Sequence, residues 1–348
     1  MTAAVGAPSA CIVPATGVEV MTYRDRAGHL FEQWHTPENE TGTTDLTENA
    51  DAPPTVGNPF AYVDRGRSTV ICLFRSNEGT VRSLYWQTGP VGHDDLGGTA
   101  HAPPAAGDPV GYHDAAADAH HVVYRGHDSH LHELFWVGIA PVNYGGNLTG
   151  AIGAPAAAGD PAAFCNAAGV QIVPYRSVDG RILSVYWSQG PSGLDDLSGV
   201  AGTPPPIGDP VAFYSPNDDT HHVFYQADDN HLWQLAWQGV APVIGRNITL
   251  GAGAPLAAGR PAAYDSPITR TRHVWFHTAD GRIQTLWWHP GQPVQHFEFL
   301  RSTADGLLAA DRPTAWVEDP PPGSPRPIQR LAYRARNGSI ATRSFGID

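Results

Sequence analysis

Arg125, Glu133 and Trp136 fall within twelve residues of one another, and parts of this trio return along the chain. Arg24 and Glu32 recur with Trp34 one place out of register; Arg75 recurs with Trp86, Arg176 with Trp187, and Gln234 with Trp237. An indole offers a flat apolar plate, while guanidinium, carboxylate and amide groups offer planar hydrogen bonding in fixed directions. That combination suits a neutral, hydroxyl-rich ring whose one face is apolar. A bland reading stands beside it: a repeated tryptophan packs between structural units, and a repeated arginine pairs with neighbouring acidic turns.

Other candidate chemistry is thinner. His120-His121 and His221-His222 lie on strand-like runs, with His130, His132 and His231 just past turns. Neighbours on a strand point to opposite faces, so these pairs do not converge as a metal site requires, and the sequence predicts no metal and no cofactor. The adjacent acids Asp94-Asp95 and Asp195-Asp196 fail as an acid and base pair for the same reason. There is no P-loop, nucleophile elbow, H-E-x-x-H or dinucleotide fingerprint, so no catalytic residue is assigned.

What positions these residues is a repeat. A G-x-P tripeptide starts at Gly6, Gly57, Gly107, Gly159, Gly208 and Gly259, with "DRP" at Asp311. The second residue after each proline is Ala10, Ala61, Gly111, Ala163, Ala212, Ala263 or Ala315, always small. An aromatic-plus-polar pair follows in every copy (Tyr23-Arg24, Phe74-Arg75, Tyr124-Arg125, Tyr175-Arg176, Tyr225-Gln226, Phe276-His277, Tyr333-Arg334), then a turn at Gly28, Gly79, Ser129, Gly180, Asn230, Gly281 or Gly338. Apolar alternation on both sides of that turn is a β-hairpin signal. A last short segment, "DLT", "DLG", "NLT", "DLS" or "NIT", reads as a fourth strand.

Four short strands repeated seven times predict an all-β, seven-bladed β-propeller in one domain, because one such sheet cannot cover both its faces alone, whereas seven in a ring cover one another. The repeats run at about 6–56, 57–106, 107–158, 159–207, 208–258, 259–310 and 311–348, the last completed by residues 1–5. Joined end to end, Asp348, Met1, Thr2, Ala3 and Ala4 read beside "NLTGA" at Asn147–Ala151, so the termini are expected to meet and close the ring.

Composition narrows the partners. A formal net charge of −13 repels phosphate backbones and anionic lipid, which excludes nucleic acid and membrane surfaces. Cys11, Cys72 and Cys165 form no paired metal spacing and read as free thiols. No export signal or 18-residue apolar run is visible, so the expectation is a soluble protein, cytoplasmic or released without a visible signal peptide. The sequons at Asn39, Asn147, Asn247 and Asn337 read as repeat consensus.

With these residues laid out, the consensus "GDPxAY…HHVxYR…DGHLHELxW…NLT…APxAAGDP" resembles the seven-bladed propeller lectins of the Photorhabdus luminescens lectin type, and the resemblance spans essentially the whole chain. The Arg, Glu and Trp combination is also similar to the trio of fungal fucose lectins. The resemblance implies a non-enzymatic, multivalent lectin for fucose-like or related monosaccharides, bound at sites between blades. His35 in place of the tryptophan, Gln226 and His277 in place of the arginine, and the insertion "EDPPPGSPRP" depart from the pattern. The second and fourth repeats resemble each other, as do the third and fifth, so two classes of pocket are expected. Glycans or other small neutral ligands are the expected partners; homo-oligomer formation stays open. The alternative is a propeller enzyme, a glycan hydrolase, lyase or biosynthetic cyclase, acting at the mouth of the central channel.

Overall fold

The computed structural model describes residues 3–38, 40–87, 89–188, 192–266, 268–299, 307–318 and 328–346. These form seven antiparallel sheets, each a meander whose strands are neighbours in chain order. Six sheets have four strands and the seventh has three among the described residues. In blade 3 the strands are Val110–Asp114, Ala119–Arg125, Leu131–Val137 and Asn143–Asn147. The first strands of the blades are Ala4–Val13, Phe60–Asp64, Val110–Asp114, Phe164–Cys165, Val211–Ser215, Ala262–Ser266 and Thr314–Glu318. Each lies beside the next, and Thr314–Glu318 lies beside Ala4–Val13, so the ring is closed.

The small-residue column sits on these innermost strands, or in blade 4 at Ala163 immediately before the strand, because these strands crowd. A Cβ on Gly111 would come within 2.6 Å of a Leu73 methyl and 3.1 Å of the His121 carbonyl. The aromatic column behind it is buried: Phe74, Tyr124, Tyr175, Tyr225, Phe276 and Tyr333 are fully covered. Tyr124 and Tyr175 also donate their hydroxyls to the carbonyls of Pro103 and Pro155 at 2.8 and 2.9 Å, tying each blade to the linker that enters it.

Linkers are held by the hairpin turns of the preceding blade. The N–H groups of Thr55, Ala105, Ala157, Ala257 and Ala309 donate to the carbonyls of Gly28, Gly79, Ser129, Asn230 and Gly281 at 2.7 to 3.0 Å. The turn residues adopt positive φ, including Ser129 at 63° and Asn230 at 61°, as the hairpin requires. At the fourth boundary the equivalent residue is Pro206, which has no N–H to give. At the seventh, Ala4 N–H donates to the Gly338 carbonyl at 2.8 Å, so the N-terminal segment takes the linker's place and locks blade 7 to blade 1. The expected completion of the fourth strand by Asp348, Met1 and Thr2 lies outside the described residues, as does most of the proline-rich insertion and Asn39.

One element differs from expectation. The repeated "DLT" triplet does not form the fourth strand; the strand ends at its first residue, or one residue before it in blade 2, and a single helical turn follows. Asp45, Asp95, Asp196 and Asn247 cap Leu46–Asn49, Leu96–Thr99, Leu197–Ala201 and Ile248–Gly251, each accepting the N–H three residues on. Asn147 accepts from Gly150 N–H at 2.7 Å in the same way. The hydroxyl two places later then accepts from the third strand: Thr47 from Leu30 N–H, Thr149 from Leu131, Ser198 from Ile182 and Thr249 from Leu232, at 2.8 to 3.1 Å. The triplet is a clasp, which is why polar residues recur in it.

Candidate binding sites between the blades

The arginine column and the tryptophan column do not meet within a blade. Strand register pairs Arg125 with Leu131 and Trp136 with His120, placing them at opposite ends of the same hairpin. Five residues of strand separate the two ends, roughly 16 Å.

The arginines serve the axis. Arg24 Nε donates to the Gly57 carbonyl at 2.9 Å, Arg176 reaches Asp209 at 3.2 Å and the Ala158 carbonyl at 3.1 Å, and Arg75 lies 3.6 Å from Asp108. Arg125 lies against the Gly-Asp-Pro loop of its own repeat, its Cβ 3.4 Å from where a Cβ on Gly107 would sit. In these loops Asn58 accepts from Ala7 N–H, Asp108 from Asn58 N–H and Asp160 from Asp108 N–H, at 2.8 to 3.1 Å, so the second, third and fourth repeats are each hooked to the one before. A cavity of about 320 Å³ here is lined by residues of all seven blades, among them Asn58, Asp108, Asp160, Asp209, Arg260 and Arg312, which places it on the central axis. Burial, then the carboxylates of Asp108 and Asp209, push the Asp160 carboxyl up to about 6.

The tryptophans serve the clefts between blades, and from blade 2 to blade 6 two kinds of boundary alternate. Where blade 2 meets blade 3, His120 stacks on Trp136 with centroids 4.6 Å apart and planes 7° apart. Where blade 4 meets blade 5, His221 stacks on Trp237 at 4.8 Å and 12°. The facing walls carry Ser83 with Tyr85 and Ser184 with Tyr186; both tyrosines are exposed and Ser184 Oγ is buried without a hydrogen-bond partner. Between blades 3 and 4 and between blades 5 and 6 the polar side chains bond each other instead, although His222 Nε2 stays buried without a partner. Between blades 3 and 4, Glu133 bonds His121 at 2.7 Å, with Trp187 edge-on to His121. Between blades 5 and 6, Gln234 bonds His222 at 2.8 Å, with buried Trp288 against Phe224. Burial pushes His222 down to about 3.

Between blades 1 and 2 the indole of Trp86 is buried and donates to Glu32 at 2.7 Å. Glu32, raised by burial, is thereby occupied within the fold.

The cleft between blades 2 and 3 has a volume of about 800 Å³ and is lined by Asp64, Ser83, Tyr85, Asp94, His120 and Trp136, among others. The same position between blades 7 and 1 holds a smaller cavity of about 310 Å³, with Trp34, His35, Trp316, Glu19 and Arg330 in its walls. There Arg330 Nε pairs with Glu19 at 2.7 Å, and Trp316 Nε1 donates to the same carboxylate at 3.3 Å.

Sequence reasoning singled out Trp34 but placed it out of register; it belongs to a different column. Trp34, Tyr85 and Tyr186 pair with Gly42, Gly92 and Gly193 of the fourth strand. Their rings lie across those glycines, where an added Cβ would sit 2.2 to 2.3 Å from the ring. The signal was present as an aromatic on the third strand facing a glycine on the fourth.

Asp64 and His113 were also missed: Asp64 reaches His120 only across a blade boundary, and His113 faces His120 from the neighbouring strand of blade 3. Asp64 Oδ2 lies 3.4 Å from His120 Nε2, and Asp64 Oδ1 lies 3.7 Å from His113 Nδ1. Arg67 bridges Asp64 and Asp118 alongside. Burial, then the neighbouring His113, pushes His120 down to about 4.

No family model matches the chain, and no curated protein does. Solved structures match over most of it. The BP39L lectin of Burkholderia pseudomallei superposes with a TM-score of 0.76 at 13% identity, covering 99% of this chain and 96% of that one. The fucose-specific lectin of Aleuria aurantia gives 0.57 at 12%, covering 86% and 97%. AofleA of Arthrobotrys oligospora gives 0.57 at 14%, covering 85% and 87%. At such identities the shared property is architecture: the chain has the β-propeller fold of these lectins, closed here with seven blades.

Proposed function

We propose that the chain is a multivalent lectin that binds fucose-like or related monosaccharides in the clefts between its blades. The observation that carries this reading is the recurrence of one wall design at two boundaries: Trp136 backed by His120 opposite Tyr85, and Trp237 backed by His221 opposite Tyr186. An imidazole stacked behind an indole fixes the plate while leaving its other side for a ligand. Apolar sugar faces stack on such plates, and hydroxyls bond to the polar groups beside them. In the larger cleft those groups are Ser83 and Asp94; at the other boundary the unpartnered Ser184 hydroxyl is the counterpart of Ser83. The likeness in fold to a lectin described as fucose-specific points the same way. Single sites of this kind are weak, and several on one rigid ring gain avidity on a surface that presents many glycans.

Titration calorimetry with methyl α-L-fucoside and a panel of methyl galactosides and O-methylated sugars tests the reading. Binding by the wild type, lost at one site in Trp136→Ala and at both in Trp136→Ala/Trp237→Ala with unchanged circular dichroism, supports it. Silence across the panel, or undiminished binding by the double variant, overturns it.

A further inference from the structure

We propose that Asp64, His113 and His120 form a binding site for a divalent transition metal of the zinc class, which pins blade 2 to blade 3. Asp64 ends the innermost strand of blade 2, while His113 and His120 face each other on the first two strands of blade 3, paired in register. One donor atom from each lies within 4.8 Å of the others, the only such group among the described residues.

The spacing is that of ligands around an ion. Donors held at about 2.0–2.2 Å with tetrahedral angles lie roughly 3.3–3.6 Å apart. Asp64 Oδ2 to His120 Nε2, at 3.4 Å, falls in this range and Asp64 Oδ1 to His113 Nδ1, at 3.7 Å, lies about 0.1 Å beyond it; both are too long for a strong charge-assisted hydrogen bond. The outer partners fit as well. His113 Nε2 faces the Asp118 carboxylate at 3.2 Å, and His120 Nδ1 faces the Tyr62 hydroxyl at 3.1 Å. When Nε2–H of His113 donates to Asp118 and Nδ1–H of His120 donates to Tyr62, the nitrogens left with lone pairs, His113 Nδ1 and His120 Nε2, are the ones nearest Asp64. Carboxylate–histidine–metal chains have this arrangement, the outer acceptor fixing the tautomer. Two lone pairs facing a carboxylate repel unless a cation lies between them.

Arg67 does not use up Asp64. It donates one hydrogen bond to each Asp64 oxygen, from its guanidinium to Oδ2 at 2.9 Å and from its backbone N–H to Oδ1 at 3.1 Å, and each oxygen keeps a second lone pair. Asp64, His113 and His120 side chains are almost fully buried, yet Asp64 and His120 also line the 800 Å³ cleft, which gives an ion a way in. At the equivalent boundary between blades 4 and 5 the three places hold Asn166, Tyr214 and His221, which keep one ligand of three. One site per chain follows. Three protein ligands with one open position is an arrangement zinc accepts.

The test uses the full chain stripped with EDTA. Cobalt(II) chloride added to one equivalent is expected to give visible d–d absorption bands that zinc chloride removes. Zinc chloride titrated by calorimetry should bind with a stoichiometry of one and raise the melting temperature. His113→Gln, which retains a donor for Asp118, and Asp64→Asn should each weaken zinc binding at least tenfold and lose both the bands and the thermal shift. Because Asp64 also anchors Arg67, the histidine variant is decisive if the other does not fold. Absence of cobalt bands in the wild type, or bands and zinc affinity that persist in His113→Gln, overturns the proposal.

Discussion

Trp86 donates its indole N–H to the Glu32 carboxylate at 2.7 Å across the boundary of blades 1 and 2, and both side chains are buried. The two residue types expected to hold a ligand thus hold each other at this boundary. Glu32→Ala strands a buried donor and opens a void, with an expected cost of roughly 1–3 kcal/mol in urea denaturation. Saccharide binding at the Trp136 cleft should be unchanged, and a parallel loss of it would show that the boundaries are not independent.

Gly92 gives a sharper probe of the cleft itself. A methyl group there meets the Tyr85 ring at 2.3 Å, and the backbone is not in the left-handed region, so only the ring has to move. Gly92→Ala is expected to displace Tyr85 from the cleft wall and weaken saccharide binding between blades 2 and 3 several-fold, with stability nearly intact. Calorimetry beside a thermal melt separates the two effects; equal affinity in both proteins would remove Tyr85 from the site.

Asp160 sets a pH dependence. Its folded-state value, raised to about 6 by burial and by Asp108 and Asp209, stands above that of an unfolded chain, so the native state holds the proton more tightly. Its contribution to stability is full below about pH 4 and is lost as pH rises through about 6. Asp160→Asn retains an oxygen to accept from Asp108 N–H, and should flatten this part of the melting-temperature profile between about pH 4 and 6. An unchanged profile would mean that another group titrates there.

The clasp predicts a graded series at Asn247. Asn247→Ala removes the acceptor for Leu250 N–H and should cost about 1 kcal/mol, as helix caps do. Asn247→Asp should be close to neutral, since Asp45, Asp95 and Asp196 fill the same place. Denaturant midpoints of the two variants decide it.

Most of the ring was legible in the sequence, because its determinants are local and repeated. Gly111 on a crowded inner strand, Tyr124 behind it and Ser129 at a positive φ leave a periodic trace that needs no knowledge of neighbours. The kinship of alternate repeats also has a structural reason: blades 2 and 4 present Tyr85 and Tyr186 to blades 3 and 5, which answer with Trp136 and Trp237. The sites were less legible because they are made between repeats. Periodicity aligned Arg125 with Trp136 as one set, but strand direction sends them to opposite ends of the hairpin. His113 and Asp64 come from different blades and different columns, so nothing in a single repeat marks them as neighbours.

The central claim is that ligand binding belongs to the clefts between blades and not to the axis, where Asp108, Asp160 and Asp209 are engaged in hooking one repeat to the next. Crystals soaked in methyl α-L-fucoside and related saccharides measure this directly. The account predicts sugar density against Trp136 and against Trp237, with the axial cavity holding none. Density confined to that axial cavity, ringed by Asn58, Asp160 and Arg312, would contradict it.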